Sequence, residues 1–516
     1  MNQLLRNTYT IFIVLCAFGN TFGQRYTGSI SGFVRDASNG EPLGYVNIVI
    51  MDTQMGASSN DKGYYVISRV PTGNYSVFAS MIGFKKITQT VRIATGQSLI
   101  LDFELERDVV EMEQVVVTGE RARFEQEVEI SSVTLNTRDL QLSPSLVEPD
   151  LFRTLHLMPG VVAKGDFSSE LYVRGGSPDQ NLILLDGITV YNPFHLGGIF
   201  STFSVDAIKE AELIAGGFPA EFGGRMSSVL DVTLLEGNSK EYEGSGSISL
   251  LTSKMTVQGP VPKGSFLMSG RRTYFDKVYE LYQKQRGKDG RFPYYFYDLQ
   301  GKLNLDLAEK HQLTLSGFFG NDVLKFDFDE SSEDDSSGSI AGDIDWHWGN
   351  RTTSAKWTYL ISPRLFSEVL LAQSKFNFEI DLGFEFTDEE GEVSDINYRV
   401  LDNINDVTLK QNITYFATPE HTIKFGHELK RILFDVELEV ENIHIDLLGD
   451  STYTYSIFGQ DKWKISDILF IQPGVRATYY SEGERYRFEP RLGTKWRVKP
   501  DLAIKAAWGY YYQFLT

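Results

Sequence analysis

The feature that most constrains this chain is an alternation of apolar and polar residues from about residue 240 to the last residue. Side chains of a β-strand point alternately to the two faces of a sheet, so the alternation predicts long strands with two unlike faces. About 12 such runs can be distinguished, joined by tight turns such as Ser362-Pro363 and by acidic tracts such as residues 327–345. Tight turns at one end and long loops at the other are typical of an outer-membrane β-barrel.

Charge and cysteine content exclude several classes of protein. A net charge of −20 argues against nucleic acid as a partner, because phosphate binding needs a basic surface. Residues 1–23 are predicted to be a signal peptide, with Arg6 ahead of an apolar core at residues 11–18. The alternative, a membrane anchor helix, needs a longer apolar core. The only cysteine, Cys16, lies in that segment, so we expect neither a disulfide nor thiol catalysis.

Three further regions precede the long strands. Residues 27–107 contain short alternating runs separated by turn signals, which predicts a β-sandwich. Residues 108–123 form an acidic, valine-rich connector that favours an extended strand. Its edge is suited to capture by another protein through main-chain hydrogen bonds, and a plain linker is the alternative. Residues 124–235 are predicted to be a compact α+β domain, with one helix after Pro149 and a second at residues 205–213.

Glycine recurs between residues 170 and 232, in pairs and beside charged residues. We predict that these positions form tight turns, because glycine adopts backbone conformations that other residues avoid. An Asp-Gly pair is in addition a hairpin signal. The motifs are Arg174-Gly175-Gly176, Asp186-Gly187, Gly216-Gly217 and Gly223-Gly224-Arg225.

Taken in order, these motifs resemble those of the TonB-dependent outer-membrane receptors of Bacteroidetes. The N-terminal pattern from Gly32 to Phe84 resembles the carboxypeptidase regulatory-like domain, which is non-catalytic in its family. The resemblance implies a mainly β protein: an N-terminal β-sandwich, an α+β plug at residues 124–235, and part of an antiparallel transmembrane β-barrel at residues 240–516. The matching plug and barrel segments are residues 149–161, 174–176, 186–187, 219–225, 455–463, 472–476 and 489–493.

The resemblance also implies a function. A small extracellular ligand binds the outer loops and the plug apex, and TonB, driven by the inner-membrane proton gradient, pulls on the plug from the periplasm. We expect a monomer in outer-membrane lipid, with its N-terminal domain in the periplasm, no cofactor and no bound metal. Ferric siderophores are the default ligand, with glycans, peptides and cobalamin as alternatives. The best candidate for the Ton box, which pairs with TonB, is Glu113, Gln114, Val115, Val116, Val117 and Thr118.

About 12 strands are too few to enclose such a plug. With strands about 4.8 Å apart and tilted by about 40°, a barrel of about 12 strands has a radius of about 12 Å. A plug of roughly 110 residues has a radius of gyration of about 13 Å, and about 22 strands would hold it. We therefore expect that the sequence is an incomplete receptor that lacks roughly the last ten strands.

Two other functions are open to such a chain. A surface sensor or adhesin would bind its ligand without transporting it. An enzyme is poorly supported, because His427-Glu428 is followed by Arg431 where a zinc protease has its second histidine, and neither a P-loop nor a nucleophile elbow occurs. The adjacent Arg271 and Arg272 either face the lumen and contact the plug or extend along the membrane rim.

Overall fold

The computed structural model shows the arrangement of most of the chain. The predicted signal peptide and the predicted Ton box both lie outside the described residues. The described residues are 27–53, 55–108, 132–144, 148–165, 168–249, 251–287, 293–330, 339–387, 393–441, 443–499 and 501–514.

The N-terminal domain is a β-sandwich, as predicted. In one sheet β1 pairs with β4, β7 and β8, and the other has the order β3-β2-β5-β6. Alternate residues of the strands, such as Val34, Ile48 and Val77, are buried between the sheets. The strands are β1 (Thr27–Asp36), β2 (Asn47–Ile50), β3 (Gly56–Ser58), β4 (Tyr64–Pro71), β5 (Gly73–Ser80), β6 (Ile87–Ile93), β7 (Ser98–Ile100) and β8 (Phe103–Leu105).

The second domain is a small α+β unit built on one mixed sheet with the order β13-β12-β17-β16-β9. The central strands bury Ile183, Leu213 and Leu230 against two short helices. Its elements are β9 (Ser132–Asn136), α1 (Thr137–Leu142), α2 (Leu151–Leu155), β10 (Val161–Val162), β11 (Tyr172–Val173), β12 (Asn181–Leu185), β13 (Ile188–Thr189), β14 (Phe194–His195), β15 (Phe200–Ser201), β16 (Ile208–Ile214) and β17 (Ser228–Leu234).

The predicted helix at residues 205–213 is wrong. Only one 3-10 turn forms there, and the chain continues as β16, which pairs with β17 on one side and β9 on the other. A register shift between Ile208 and Glu210 places Ile208 and Ala211 in the core three residues apart. The bulge therefore gave the buried apolar residues of a strand the three-residue spacing that is typical of a helix.

Residues 243–509 form one antiparallel sheet of 13 strands, in which neighbours in sequence are neighbours in space. The strand missed by the count of about 12 is the first, whose Gly-Ser pattern lacks apolar alternation. The strands are β18 (Glu243–Ile248), β19 (Thr252–Val261), β20 (Gly264–Thr273), β21 (Tyr294–Ala308), β22 (His311–Glu330), β23 (Ser339–Ser362), β24 (Leu365–Thr387), β25 (Val393–Thr418), β26 (His421–Val440), β27 (Ile443–Lys464), β28 (Leu469–Tyr480), β29 (Arg485–Lys499) and β30 (Leu502–Gly509).

The two ends of this sheet differ. Tight turns join the strands at one end, and at the other the strands run on and an 11-residue helix, α3 (Phe275–Gln285), is inserted between β20 and β21. Much of the predicted acidic loop at residues 327–345 is strand, because β22 and β23 pair out to Glu330 and Ile340. No helix among the described residues is long and apolar enough to cross a membrane.

The N-terminal domain docks against the tight-turn end of the sheet. The Tyr64 ring lies 6.0 Å from Phe366 and 6.1 Å from Phe416, and its hydroxyl donates to the Pro363 carbonyl at 2.9 Å. Beside this cluster, Lys62 forms an ion pair with Glu368. The contact combines a buried ring with charged partners, so it specifies one position of the domain under the sheet.

We predict that a short bismaleimide will link Lys62→Cys to Glu368→Cys within one molecule. The native chain offers only Cys16 as a competing thiol. The linked product should be detected as faster migration on a denaturing gel. Lys85→Cys with Glu368→Cys is the control, because Lys85 pairs with Glu106 inside its own domain. Equal linking of the two pairs would contradict the docked position.

Candidate functional site

The Asp186-Gly187 motif ties the α+β domain to the wall of the large sheet. It forms the two-residue hairpin between β12 and β13, with φ of 50° and 86° at the two positions, as a type I′ turn requires. One carboxylate oxygen of Asp186 accepts from Lys302 Nζ at 2.9 Å and the other from Ser316 Oγ at 3.0 Å. Burial raises the pKa of Asp186, but Lys302, Lys356 and the Leu234 N–H together outweigh it, and the net shift is downward. A buried anionic anchor therefore joins domain and wall.

The other predicted motifs, at residues 174–176, 216–217 and 223–225, either form turns or pack closely against other side chains. Arg174 is exposed and begins a turn, and Arg225 donates to the Gly224 carbonyl beside it at 3.0 Å. Gly223 lies directly against the Arg476 guanidinium, and any side chain at that position would overlap it. Gly176 has no left-handed backbone but packs on Ser227. The motif glycines with positive φ are Gly175, Gly187, Gly216, Gly217 and Gly224.

Two buried arginines of the sheet hold the loop at residues 218–223. Arg491 donates to the carbonyls of Pro219 and Phe222 at 2.6 and 2.7 Å, and Arg476 donates to the Glu221 carbonyl at 3.3 Å. Both side chains are at most 5% exposed. Sequence reasoning placed both arginines in matching segments but assigned them no role, since their partners are more than 250 residues away.

Arg271 resolves the two alternatives for the arginine pair. It is buried, forms ion pairs with Glu148 at 2.6 Å and Asp298 at 2.5 Å, and donates to the Ser201 carbonyl at 2.6 Å. Arg272 lies on the opposite face, over the Tyr295 ring. Adjacent strand residues point to opposite faces, so only the first reaches the enclosed domain.

His195, which sequence reasoning missed, extends the same buried charge cluster, because it shares Asp298 with Arg271. Its Nε2 lies 2.8 Å from Asp298 and its Nδ1 2.6 Å from Asp322, while the ring stacks on Phe296 at 4.0 Å. Burial alone would lower the pKa of His195, but the two carboxylates outweigh it and raise the pKa to about 9. Both ring nitrogens can donate only when the imidazole is protonated, so His195 is a buried imidazolium that joins the plug side to two wall carboxylates. This ion-paired group is called the charged lock below.

On the side of β23 to β27 a cavity of about 450 Å³ lies between the enclosed domain, the wall and the N-terminal domain. Lysines line the wall, among them Lys356, Lys410 and Lys424, and carboxylates such as Glu221 and Asp231 face them. Lys424 bonds Glu221 at 3.0 Å. On the side of β20 to β22 an apolar contact lies beside the ion pairs of Arg271 and His195, because Leu267 and Phe318 of the sheet join the core of the enclosed domain.

Comparison with known families identifies this arrangement. Residues 246–514 match the TonB dependent receptor-like β-barrel, residues 127–228 the TonB-dependent receptor plug domain, and residues 30–117 the CarboxypepD_reg-like domain. The chain belongs to the TonB-dependent receptor family. The enclosed domain is its plug, and the sheet of 13 strands is part of its outer-membrane barrel.

Solved structures show the same fold at low sequence identity. The outer membrane transporter YddB from Escherichia coli is 12% identical with a TM-score of 0.54, covering 74% of this chain and 61% of its own. The siderophore receptor PirA from Acinetobacter baumannii is 16% identical with a TM-score of 0.51, covering 75% and 61%. FpvA of Pseudomonas aeruginosa, solved with pyoverdines, is 15% identical with a TM-score of 0.52, covering 74% and 56%. The receptor chain therefore spans about six tenths of the length of these structures.

We predict that His195→Gln will loosen the plug of the receptor. Breaking a buried charge pair by removing one partner costs about 3–5 kcal/mol, and here Asp322 loses its cationic partner while Asp298 keeps Arg271. The measurement is urea unfolding followed by tryptophan fluorescence, since Trp348 lies in a cluster with Phe200 of the plug. The folded pKa of about 9 lies above the ordinary 6.5, so the stabilisation is complete below pH 6.5 and is lost as pH rises through 9.

The free energy of unfolding of the His195→Gln variant should therefore be lower than that of the native receptor. It should also no longer decline between pH 6.5 and 9. His156→Gln is the matched control, because the ring of His156 bonds the Glu170 carbonyl within the plug. A His195→Gln receptor with an unchanged midpoint and an unchanged pH profile would show that the lock contributes nothing.

Proposed function

We propose that this receptor takes up a scarce nutrient across the outer membrane in an energy-coupled way. The observation that carries the proposal is how the plug is held. Its wall contacts include buried ion pairs and hydrogen bonds, such as Asp186 to Lys302, His195 to Asp298 and Arg491 to loop carbonyls. Such a plug closes the lumen at rest and can still leave the wall when it is pulled.

The physical reason is that polar contacts can be exchanged for water. A buried ion pair is a weak net contributor when water can replace each partner, whereas a dry apolar interface loses its hydrophobic stabilisation on separation. The cavity beside β23 to β27 already allows water to reach one flank of the plug. A pull from the periplasm therefore meets an interface that can be hydrated stepwise.

The pull is proposed to come from TonB, powered by the inner-membrane proton gradient and acting on the candidate Ton box at residues 113–118. The N-terminal domain then lies in the periplasm, since it docks at the end with the tight turns, and outer-membrane barrels have their short turns on that side. Siderophore receptors among the similar structures make ferric siderophores the first ligands to test, ahead of glycans, peptides and cobalamin. Export by residues 1–23, a Bacteroidetes source and a monomeric state remain predictions.

The receptor is proposed not to be an enzyme. The Glu428 carboxylate, part of the incomplete zinc-protease pattern, forms an ion pair with Arg476 at 3.2 Å. His427 lies on the opposite face of β26 and bonds Gln411 at 3.3 Å. The pair therefore does not converge on one site.

We predict that deleting residues 113–118 from the receptor gene will abolish uptake and leave ligand binding intact. Without the segment that pairs with TonB, no force reaches the plug, while the extracellular surface is unchanged. The measurement compares accumulation of ⁵⁵Fe-loaded siderophores with cell-surface binding at 0 °C, and a fall in accumulation to the level of protonophore-treated cells is expected.

Deletion of residues 121–126 is the control of equal length in the same connector. If binding occurs and neither deletion nor protonophore changes accumulation, the receptor is a surface sensor or adhesin. If the protonophore stops uptake but the deletion of residues 113–118 does not, transport stands and the Ton box lies elsewhere.

A further inference from the structure

The N-terminal domain is held at two places, one on the barrel wall and one beside the plug. At the wall, Tyr64 is almost completely buried in a small apolar cluster that contains Leu360 and Phe366 of the sheet. The Tyr64 hydroxyl donates to a carbonyl of the neighbouring tight turn, and Lys62 pairs with Glu368 beside it. This wall contact fixes the domain to the turn between β23 and β24.

The second contact, called the plug contact, joins the domain to the plug. One Glu41 carboxylate oxygen accepts from the main-chain N–H groups of Glu236 and Gly237, at 2.5 and 3.1 Å. These two residues lie just after β17, where the chain leaves the plug for the barrel. From β16 of the plug, Lys209 donates to the Pro42 carbonyl at 3.0 Å. Glu41 is 7% exposed, and hydrogen bonds to a carboxylate are stronger than those between neutral groups, so this contact is specific.

The cavity of about 450 Å³ lies between the two contacts. Its lining includes Glu368 from the wall contact and Lys209 from the plug contact, so it extends from one to the other. On the side of the domain it is lined by Tyr45 and by the turn at residues 60–62. The domain docks at the end of the sheet that has the tight turns, so the docked domain closes the cavity at that end.

The cavity is polar and is not a packed interface. Lys356 and Lys462 line it from the wall, and within the part of the chain that the structure describes neither ammonium group has an ion pair or a hydrogen bond. Such groups are solvated when the space around them has room for water. Ligand pockets commonly have volumes of about 300–1,000 Å³, so a small molecule has room beside the plug. The cavity is therefore an aqueous compartment that the domain covers.

The domain can leave its docked position as a rigid unit. Among the described residues, its own core consists of sandwich residues alone, such as Val34 and Val77. It contributes three members to the apolar cluster at the wall contact, Phe33, Tyr64 and Val66. Domains of one chain move relative to each other unless their interface is large and hydrophobic. Undocking therefore separates surface contacts and leaves the sandwich folded.

We propose that the N-terminal domain is a gate on the exit side of the receptor. When it is docked, it closes the cavity beside the plug. When it undocks, the cavity opens to the periplasm and the transported molecule leaves. The passage of a molecule through the cavity rests on the uptake function proposed above, whereas the closing of the cavity does not.

The position of the domain in the chain connects the gate to the pull by TonB. The candidate Ton box at residues 113–118 stands between the domain and the plug in the sequence, so a pull there acts on both. The domain ends with β8, which pairs with β1 from Val34 to Asp36. β1 in turn pairs with β4, where Phe33 lies opposite Tyr64 of the wall contact. Tension at the end of the domain therefore reaches the strands that hold it to the wall.

The first test measures the closing of the cavity without any transport. Lys356→Cys places a thiol on the cavity wall of a receptor that also carries Cys16→Ser and is purified into lipid nanodiscs. The probe is fluorescein maleimide, and the rate of labelling reports access to the cavity. Glu41→Ala with Tyr64→Ala removes one side chain from each contact. We expect this pair to accelerate labelling at least tenfold.

Phe78→Ala with Glu106→Ala is the matched control, because it removes the same kinds of group from the surface of the same domain. Phe78 contacts Lys86 and Glu106 pairs with Lys85, in both cases within the domain. The control should be labelled at the native rate. Heat-dependent mobility on a denaturing gel checks that each barrel folds. If the pair at Glu41 and Tyr64 failed this check, Lys62→Ala would replace it.

The second test holds the gate shut during transport. Lys62→Cys and Glu368→Cys are linked across the wall contact by a bismaleimide that contains a disulfide, so that a reducing agent opens the link. We expect linking to lower the accumulation of ⁵⁵Fe-loaded siderophores to the level of protonophore-treated cells, with surface binding intact, and reduction to restore it. A link between Lys85→Cys and Glu106→Cys is the control, because it lies within the domain and should leave uptake unchanged.

Three results would overturn the gate: equal labelling of Lys356→Cys with native and weakened docking, undiminished uptake by the linked receptor, or loss of uptake in the Glu41→Ala and Tyr64→Ala receptor, since an open gate must not stop transport. If labelling accelerates as expected but the native receptor accumulates no siderophore, uptake fails for that probe and the closing role stands. If uptake requires residues 113–118 but labelling does not change, the gate fails and transport stands.

Discussion

The contact between the plug and the inner face of the barrel is the interaction on which the rest of this structure depends. Asp186 with Lys302, and Arg271 with Glu148 and Asp298, connect segments more than 25 residues apart and are almost completely removed from water. Charges so deeply buried are tolerated only as pairs, since an isolated one would cost several kcal/mol. The barrel strands and the plug therefore each supply the counter-charge for buried charged groups of the other.

The same constraint explains why the inner and outer faces of the sheet change along the strands. Where the plug is present, the inner face supplies lysines, arginines and carboxylates, and the outer face supplies Leu, Val, Trp and Tyr to the membrane. Farther along β22 to β26 the inner face is apolar, and beyond the membrane the outer face meets water. The exchange of polarity on β22 to β26 thus marks both the top of the plug and the edge of the hydrocarbon layer.

Sequence reasoning predicted the β-sandwich, the plug and the barrel, because each depends on local signals: period-two alternation, Asp-Gly and paired-glycine turns, and the order of the motifs. It failed where a local signal was ambiguous. The bulge at Ile208 had helical spacing, the glycine-serine strand Glu243–Ile248 lacked alternation, and α3 lies in a stretch for which no element was predicted. The charged locks were not predictable, since the partners of His195 lie 103 and 127 residues away.

The change in the alternation of apolar residues along β24 could in principle have been recognised in the sequence. Up to Leu371, apolar residues occupy both odd and even positions of β24, whereas from Phe376 to Phe386 they occupy even positions alone, with no turn between the two stretches. A single rule that assigns apolar residues to the membrane-facing side cannot accommodate such a strand. Only the register of the whole sheet shows that the second set faces the lumen.

The plug's contacts are not uniform around its circumference, and this bears on how it can move. Toward β20 to β22 it shares an apolar core through Leu267 and Phe318 beside the buried ion pairs of Arg271 and His195, whereas toward β23 to β27 a cavity of about 450 Å³ adjoins the ion pair between Glu221 and Lys424. Separation on the apolar side exposes hydrophobic surface at roughly 25 cal/mol per Å². Separation on the cavity side replaces contacts that water already reaches.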